Sequence, residues 1–423
     1  MKNRIILCGT MLALILGACQ VEENEESIVA AEVPSPADEL APITIGHIDS
    51  LNSEILGESR DLWIYIPESS QLPENVDVTY PVVYLLDGSA HFHSVSGMLH
   101  FLGSRGGNTE VPEMVVVAIP NTDRLRDLTL THTEGTSGGG KEFLSFIETE
   151  LVPYIEETYP VTNYRTFIGH SLGGLTVIDA LFTMPELFQN YVAIDPSLWW
   201  DEQVLLKRSE AMLNELNLNG KSLFIGVANT MLGRTTYDTV REDVDPSTMH
   251  IRSILEFVQL AEADIDNGLS FGWEYYGGDS HGSVPLITEY DAFRFTFSWH
   301  SLIGLSDKLY LDTTASAEQL LGLVGSHYDT VFSKLGNRVL PPEGYINFHA
   351  QGFLDTSRPD VALAFLNLNL QNYPQSANAH EALGDYFLVQ ESTEEALQNF
   401  TKAVELGAGE DTQEKISALL ADD

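Results

Sequence analysis

The chain has 423 residues, more than one ordinary domain holds, and its 43% hydrophobic and 9% aromatic residues are enough to fill a sizeable core. Its 62 Asp and Glu against 21 Lys and Arg give a formal charge of −41 with no basic cluster, so a nucleic-acid partner is disfavoured because a phosphate backbone would be repelled. The 2 cysteines, Cys8 and Cys19, rule out a disulfide framework and metal centres built on several thiolates.

Lys2 and Arg4 precede an apolar run from Ile5 to Leu16, too short to span a bilayer comfortably but suited to the middle of an export signal. Leu16-Gly17-Ala18-Cys19 follows and resembles the lipobox of bacterial lipoproteins. The resemblance implies a signal peptide over 1–18, removed before Cys19, and a lipid on that cysteine. The absence of Asp after Cys19 points, by the sorting habit of Gram-negative lipoproteins, to the outer membrane, facing the periplasm or the cell surface. Residues 19–42 are acidic, contain Ala and Pro, and lack an apolar period, as a flexible tether does.

Beyond the tether, strand-like and helix-like stretches alternate, which predicts an α/β fold with a mostly parallel sheet and helices on both faces. Leu62 to Ile66 reads as an early strand, and Val82 to Leu86 and Met114 to Ile119 as strands buried on both faces. Glu142 to Thr158 has helical spacing. Thr166 to Ile168 and Tyr191 to Ile194 continue the strand series around a Leu172 to Phe182 helix, and Leu223 to Val227 and Phe271 to Tyr276 close it, with a Met249 to Ala261 helix between them. The sheet-bearing domain is expected over 43–305 and a helical connector over 306–340.

From 341 to 423 the pattern is helical. His380, Leu383, Gly384, Phe387, Ala396, Phe400 and Ala403 stand at tetratricopeptide spacing, where small residues let paired helices pack closely. One period earlier Ala350, Phe353 and Ala362 hold matching places, Pro374 closes the copy, and His349 stands where Leu is usual. Two such repeats are fewer than the roughly three that stack alone, so they are expected to pack on the sheet domain or on a protein partner.

The chemistry concentrates in Gly169-His170-Ser171-Leu172-Gly173, a G-x-S-x-G turn between a strand end and a helix. That context presents a serine hydroxyl on a strained turn, with glycines at 169 and 173 where side chains would strike neighbouring segments. Ser171 is therefore the candidate nucleophile and needs a base. His281, in the Gly277-Gly278-Asp279-Ser280-His281-Gly282 loop after the last strand, stands where this architecture puts one, in the chain order Ser, acid, His. The acid position after the penultimate strand holds Ala228-Asn229-Thr230, with no carboxylate. Asp243 is the first choice for the acid, Asp245 the next, and Asp195 stays open because it ends the preceding strand; a Ser–His dyad is the remaining option. The oxyanion would be held by the amides of Leu172 and of Ser89, the latter in the loop after Leu85-Leu86-Asp87-Gly88. His91 and His93 form an H-x-H pair without a third ligand beside it, and no metal or cofactor is expected. His170 is expected to pack inside the turn, and His250 and His300 read as ordinary core or surface histidines.

Together Tyr84-Leu85-Leu86-Asp87-Gly88, Arg126-Asp127-Leu128-Thr129, Gly169 to Gly174, Asp195-Pro196-Ser197-Leu198-Trp199-Trp200 and Ser280-His281-Gly282-Ser283-Val284-Pro285 resemble one branch of the α/β-hydrolases. That branch holds enterochelin and salmochelin esterases, feruloyl esterases, S-formylglutathione hydrolase and the mycobacterial mycolyltransferases. The siderophore-esterase-like members look most similar, and the likeness covers roughly residues 45 to 305. It implies an α/β-hydrolase with little lid, acting through an acyl-enzyme on small esters of compact polar or aromatic acids. The same residues leave two alternatives: acyl transfer to a sugar or lipid hydroxyl, and a non-catalytic envelope scaffold that binds partners through the repeats. The missing acid after the penultimate strand and the helical repeats are departures from the secreted siderophore esterases.

Overall fold

The structure, a computed structural model, describes residues 42–71, 78–103, 110–231, 233, 235–263, 266–336 and 338–421. The signal segment, Cys19 and all of the tether but Pro42 lie outside the described residues. Residues Ile45–Asp423 form a single unit.

Eight strands make one sheet: β1 (His47–Ser53), β2 (Glu58–Tyr65), β3 (Tyr80–Leu85), β4 (Val115–Ala118), β5 (Val161–His170), β6 (Asn190–Ile194), β7 (Ser222–Ala228) and β8 (Ser270–Tyr276). Their order is β1-β2-β4-β3-β5-β6-β7-β8. β1 and β2 pair antiparallel, as do β2 and β4, and every other pairing is parallel. The edge strand β1 and its neighbour β2 are joined by a short turn through Gly57, whose φ is +66°.

The helices of the sheet region are α1 (Gly88–Gly103), α2 (Arg124–Asp127), α3 (Gly140–Phe146), α4 (Val152–Thr158), α5 (Leu172–Thr183), α6 (Trp200–Glu215), α7 (Met249–Glu262) and α8 (Val284–Thr296). The helix expected over 142–158 is therefore not a single regular one. α3 runs into a π turn at Ile147–Leu151 and then α4, with Pro153 at its start. Proline has no amide to donate back to residue 149, and widening the turn accommodates that loss.

β3, β4, β6 and β7 are buried on both faces, which is why their sequences read as nearly continuous apolar runs, whereas β5 is fully buried only at Tyr164 and from Thr166 to Gly169. Alternate residues feed two cores. Val82 and Tyr84 join Phe167 and Leu175 on one side, while Val83 and Leu85 join Ile168, Phe92 and Phe293 on the other.

Seven more helices follow: α9 (Ile303–Leu311), α10 (Ala317–Leu335), α11 (Glu343–Asp355), α12 (Pro359–Asn372), α13 (Ala377–Val389), α14 (Thr393–Glu405) and α15 (Glu410–Ala421). α10 begins at a Ser316–Gln319 capping box and ends at Gly336 in the left-handed conformation, textually marked start and stop signals. It ties the two regions together. Leu320 and Val324 pack with Phe353 and Phe365 of the helical array, whereas Val331 and Leu335 belong to the core that contains Tyr164 and Phe297. Gly384 shows why a small residue is needed in α13: a Cβ there would stand 2.6 Å from the ring of Phe400 in α14. A cavity of 1090 Å³ lies between the start of β3 and α9–α11, lined in part by Tyr80, Tyr328, Tyr345, Phe348 and His349. Among the described residues no helix is long and apolar enough to cross a membrane.

Candidate active site

In a parallel sheet the carboxyl ends of the strands open into loops on one rim, and the chemistry collects there. β5 runs directly into Ser171, which has φ +59° and ψ −113°, and α5 starts at the next residue. This strained backbone is held by the Ser171 amide donating to the Ile194 carbonyl (2.9 Å) and by the Ser171 carbonyl accepting from the Ser197 amide (2.9 Å). The glycine requirement is sharper than expected at one place and weaker at another. A Cβ on Gly169 would lie 2.4 Å from the Gly173 backbone, whereas one on Gly173 would meet its nearest neighbour at 3.4 Å. The second tight position is Gly174, 3.0 Å from Pro196.

Ser171 Oγ lies 3.0 Å from His281 Nε2 and 3.2 Å from Ser197 Oγ. His281 sits on the β8–α8 loop, and that loop is braced by the Asn229 amide donating to the Asp279 carbonyl (2.8 Å) and by Ser283 Oγ donating to Asp279 (2.8 Å). His281 Nδ1 meets Asp195 Oδ2 at 2.6 Å.

Asp195, rather than Asp243 or Asp245, is thus the carboxylate brought to His281. Asp243 accepts from the Thr235 hydroxyl (2.8 Å) and the Asp245 amide (2.9 Å), and Asp245 accepts from the Ser247 amide (2.8 Å); each is spent on the turns of its own loop. Asn229, where an acid was sought, uses its side chain to donate to the Gly277 carbonyl (3.1 Å). The cue for Asp195 was its place at the end of β6, one strand earlier.

Asp195 is 0% exposed. Its Oδ1 accepts from the Ala228 amide (3.0 Å), and its Oδ2 accepts from both His281 and His250 Nε2 (2.9 Å). Burial opposes ionisation, but the hydrogen bonds from His250 and His281 and the Ala228 amide outweigh it and hold the carboxyl well below the usual carboxylate range. An ionised carboxylate only accepts, so both histidines present N–H to it, which leaves His281 Nε2 free to accept from Ser171. His250 was not singled out in the sequence, where a helical histidine has no special spacing to Ser171. Asp195, His250 and His281 also bring ligand-capable atoms within 4.8 Å of one another.

His170 packs against His281, with ring centroids 4.5 Å apart, and burial, helped by His281 and His91, pushes it down to about 4. The H-x-H pair is split by its helix, since residues two apart point to different sides. His91 faces buried Glu289 (3.2 Å), and His93 packs edge-on to Trp63.

Two hollows flank Ser171. One, of 390 Å³, is lined by Ser197, Trp199, Thr230, Pro246, Ser247, Met249 and His250. The other, of 330 Å³, is lined by Asp87, Ala90, His91, Asn121, Arg124 and His170. The loop at Asp87 (φ +52°) is clamped by Arg124, whose two nitrogens donate to both carboxylate oxygens (2.6 and 2.9 Å), and by Asn121 (2.6 Å). Ser89 lies on the exposed first turn of α1 just after this clamp, and Leu172 opens α5, where helix amides lack intrahelical acceptors. Arg126 and Asp127 serve the frame behind it: buried Asp127 accepts from Arg60 (2.6 Å) and Arg126 (2.7 Å). The larger cavity by α9–α11 lies at the opposite, amino-terminal end of β3.

Fold and site define an α/β-hydrolase, and the chain is a carboxylic ester hydrolase. Residues 53–234 match the model of the family described as "Putative esterase". The chain is 32% identical over 258 residues to the ferri-bacillibactin esterase BesA of Bacillus subtilis, covering 56% of this chain and 85% of that protein. It is 29% identical over 220 residues to a siderophore enterobactin esterase of Emericella nidulans, covering 43% of this chain and 71% of that one. An IroE-like serine hydrolase from Shewanella oneidensis superposes with a TM-score of 0.58 at 30% identity, covering 77% of this chain and 99% of its own. An uncharacterised protein from Capnocytophaga ochracea shares the fold over 89% of this chain and 99% of its own, with a TM-score of 0.59 at 18% identity. The chain belongs to this esterase family.

Proposed function

We propose that the chain is a serine-dependent, siderophore-esterase-like hydrolase of the bacterial cell envelope that works through an acyl-enzyme on Ser171. The observation that carries the reading is the continuous relay from Ser171 Oγ to His281 Nε2 (3.0 Å) and from His281 Nδ1 to Asp195 Oδ2 (2.6 Å). Ser171 attacks the ester carbonyl as His281 takes its proton, and the resulting imidazolium is stabilised by Asp195. The amides of Leu172 and Ser89 receive the oxyanion. His281 then returns the proton to the leaving alcohol, and water, activated by the same imidazole, releases the acid.

The 390 Å³ hollow is the acyl side of this reading: Trp199 and Met249 offer apolar contact and Ser197, Thr230 and Ser247 offer hydroxyls. These residues suit a compact aromatic or polar acyl group, in keeping with the siderophore esterases among its relatives. The His281 side chain is 41% exposed, so water reaches the acyl-enzyme readily, which favours hydrolysis over transfer to another alcohol. The Leu16 to Cys19 motif supports anchoring by lipid, and the tetratricopeptide-like spacing over α11–α14 supports a protein partner at the helical region.

A fluorophosphonate probe tests the core of the proposal. Labelling should map to Ser171, and Ser171→Ala should lose label and lower turnover of an activated aryl ester by about three orders of magnitude or more. Wild-type turnover in Ser171→Ala would overturn it.

A further inference from the structure

We propose that His250 is a positioning residue for ester hydrolysis, acting through Asp195 to set the orientation and proton affinity of His281. The inference rests on the acyl-enzyme reading above. Its basis is that one carboxylate oxygen, Asp195 Oδ2, accepts from two imidazoles that arrive from different elements: His281 from the β8–α8 loop at 2.6 Å and His250 from the first turn of α7 at 2.9 Å. The two rings meet edge to face, with centroids 5.1 Å apart.

The need for a second holder follows from where the acid stands. Asp195 has φ +42°, outside the comfortable range for a residue with a side chain, and among the described residues its carboxylate is fixed at Oδ1 by a single amide, that of Ala228. Without His250, Oδ2 would be held only by the group it is meant to orient. With it, the carboxylate is triangulated from β7, from α7 and from the His281 loop, so its rotamer is set before His281 is counted.

The electrostatic consequence has a definite sign. Two N–H donors share the negative charge of Oδ2, so His281 receives less of it than it would alone. Removing His250 would concentrate that charge on His281 and hold a proton on the imidazole to higher pH, while loosening its geometry. The titratable groups facing His281 are Asp195 from the turn after β6, His250 from α7 and His170 from β5; beyond His170 stand His91 from α1, Glu289 from α8, and Asp87 with its partner Arg124. Of these, only His250 shares an acceptor oxygen with His281 among the described residues.

His250 also lines the 390 Å³ hollow, so a loss of wall contact must be told apart from a loss of positioning. The experiment measures kcat and KM for p-nitrophenyl acetate over about pH 5 to 9 in His250→Ala, His250→Gln, Asp195→Asn and the His250→Ala/Asp195→Asn double variant. His250→Ala should lower the plateau kcat about tenfold and shift the acid limb of kcat/KM upward. His250→Gln, which keeps an N–H near the Nε2 position, should restore most of kcat and return the limb towards the wild-type position. In the Asp195→Asn background the alanine change should cost less than about twofold, because the charge through which it acts is gone.

Full additivity in the double variant, or an unmoved acid limb with only KM raised, would make His250 a wall residue and overturn the proposal. Should His250→Ala fail to fold, a glutamine variant that folds but shows a wild-type limb with a tenfold lower kcat would overturn it equally. Retained turnover in Ser171→Ala is a separate result that sinks the acyl-enzyme reading itself.

Discussion

Asp195→Asn is the most incisive single change, because the structure dictates what the new amide must do. The carboxylate accepts three N–H groups, one on Oδ1 and two on Oδ2. An asparagine offers one carbonyl oxygen and one NH2, and whichever way it is turned, the NH2 faces at least one donor. If the carbonyl replaces Oδ1, the NH2 confronts both imidazoles; His281 then relieves the clash by carrying its proton on Nε2, which can no longer accept from Ser171. If the carbonyl replaces Oδ2, the Ala228 amide is left against a donor and the imidazolium of the transition state has lost its counter-charge. Both outcomes predict a fall in kcat of about 10³- to 10⁴-fold, the scale seen when a triad acid becomes an amide, equivalent to roughly 4–5.5 kcal/mol of transition-state stabilisation. Asp243→Asn, which disturbs contacts within its own loop such as those to Thr235 and the Asp245 amide, should stay within about twofold of wild type. Steady-state turnover of an activated ester, with near-ultraviolet circular dichroism to check folding, measures both. Asp195→Asn within tenfold of wild type, or Asp243→Asn falling as far, would refute the assignment.

Gly169→Ala places a Cβ 2.4 Å from the Gly173 backbone, so the elbow should shift, lowering stability by about 1–3 kcal/mol in urea titration and slowing fluorophosphonate labelling of Ser171. Arg60 is 1% exposed and pairs with buried Asp127 and with Glu58, so Arg60→Ala should cost about 1–3 kcal/mol by the same titration, since Asp127 keeps Arg126 but loses its fully buried partner. Acid should weaken the fold in two windows. Burial pushes His349 down to about 4 from an ordinary 6.5, and His170 likewise, so the unfolded chain binds more protons between those values and stability is lost as pH falls from about 6.5 towards 4. Hydrogen bonding from Arg126 holds Glu58 at about 2 against an ordinary 4.5, so its share is lost in a second window as pH falls from about 4.5 towards 2. His349→Gln should flatten the first window in thermal unfolding followed against pH, and an unchanged slope would argue against its buried neutral state.

How much of this was legible depended on how local the determinant was. The strand cores of β3, β4, β6 and β7 stood out because burial on both faces makes a strand uniformly apolar. β1 was not read: its residues are exposed or half-exposed except Ser53, so neither an apolar run nor a clean alternation marks it. The meeting of Ser171 with His281 was readable because the elbow and the loop after β8 are short-range signatures. The carboxylate that meets His281 was not, because its identity depends on which of several loops points inward. Asp243 and Asp245 lie in a turn-rich segment where side chains bind their own backbone, a fate that a count of carboxylates near β7 does not reveal.

The carboxylate that meets His281 follows β6 rather than β7, and this explains why the surrounding residues differ from a simple elbow plan. Once the residue after β7 is Asn229, that position can brace the His281 loop through the Asp279 carbonyl and Gly277 rather than orient the imidazole directly. Asp195 then reaches His281 from a neighbouring strand and needs support from beyond β7, which the first turn of α7 supplies through His250. The same turn contributes Met249 to the wall of the 390 Å³ hollow. On the proposed mechanism, acid placement and acyl-side shape are therefore coupled in one short stretch, Pro246 to His250, so a substitution there aimed at specificity should disturb turnover as well as affinity.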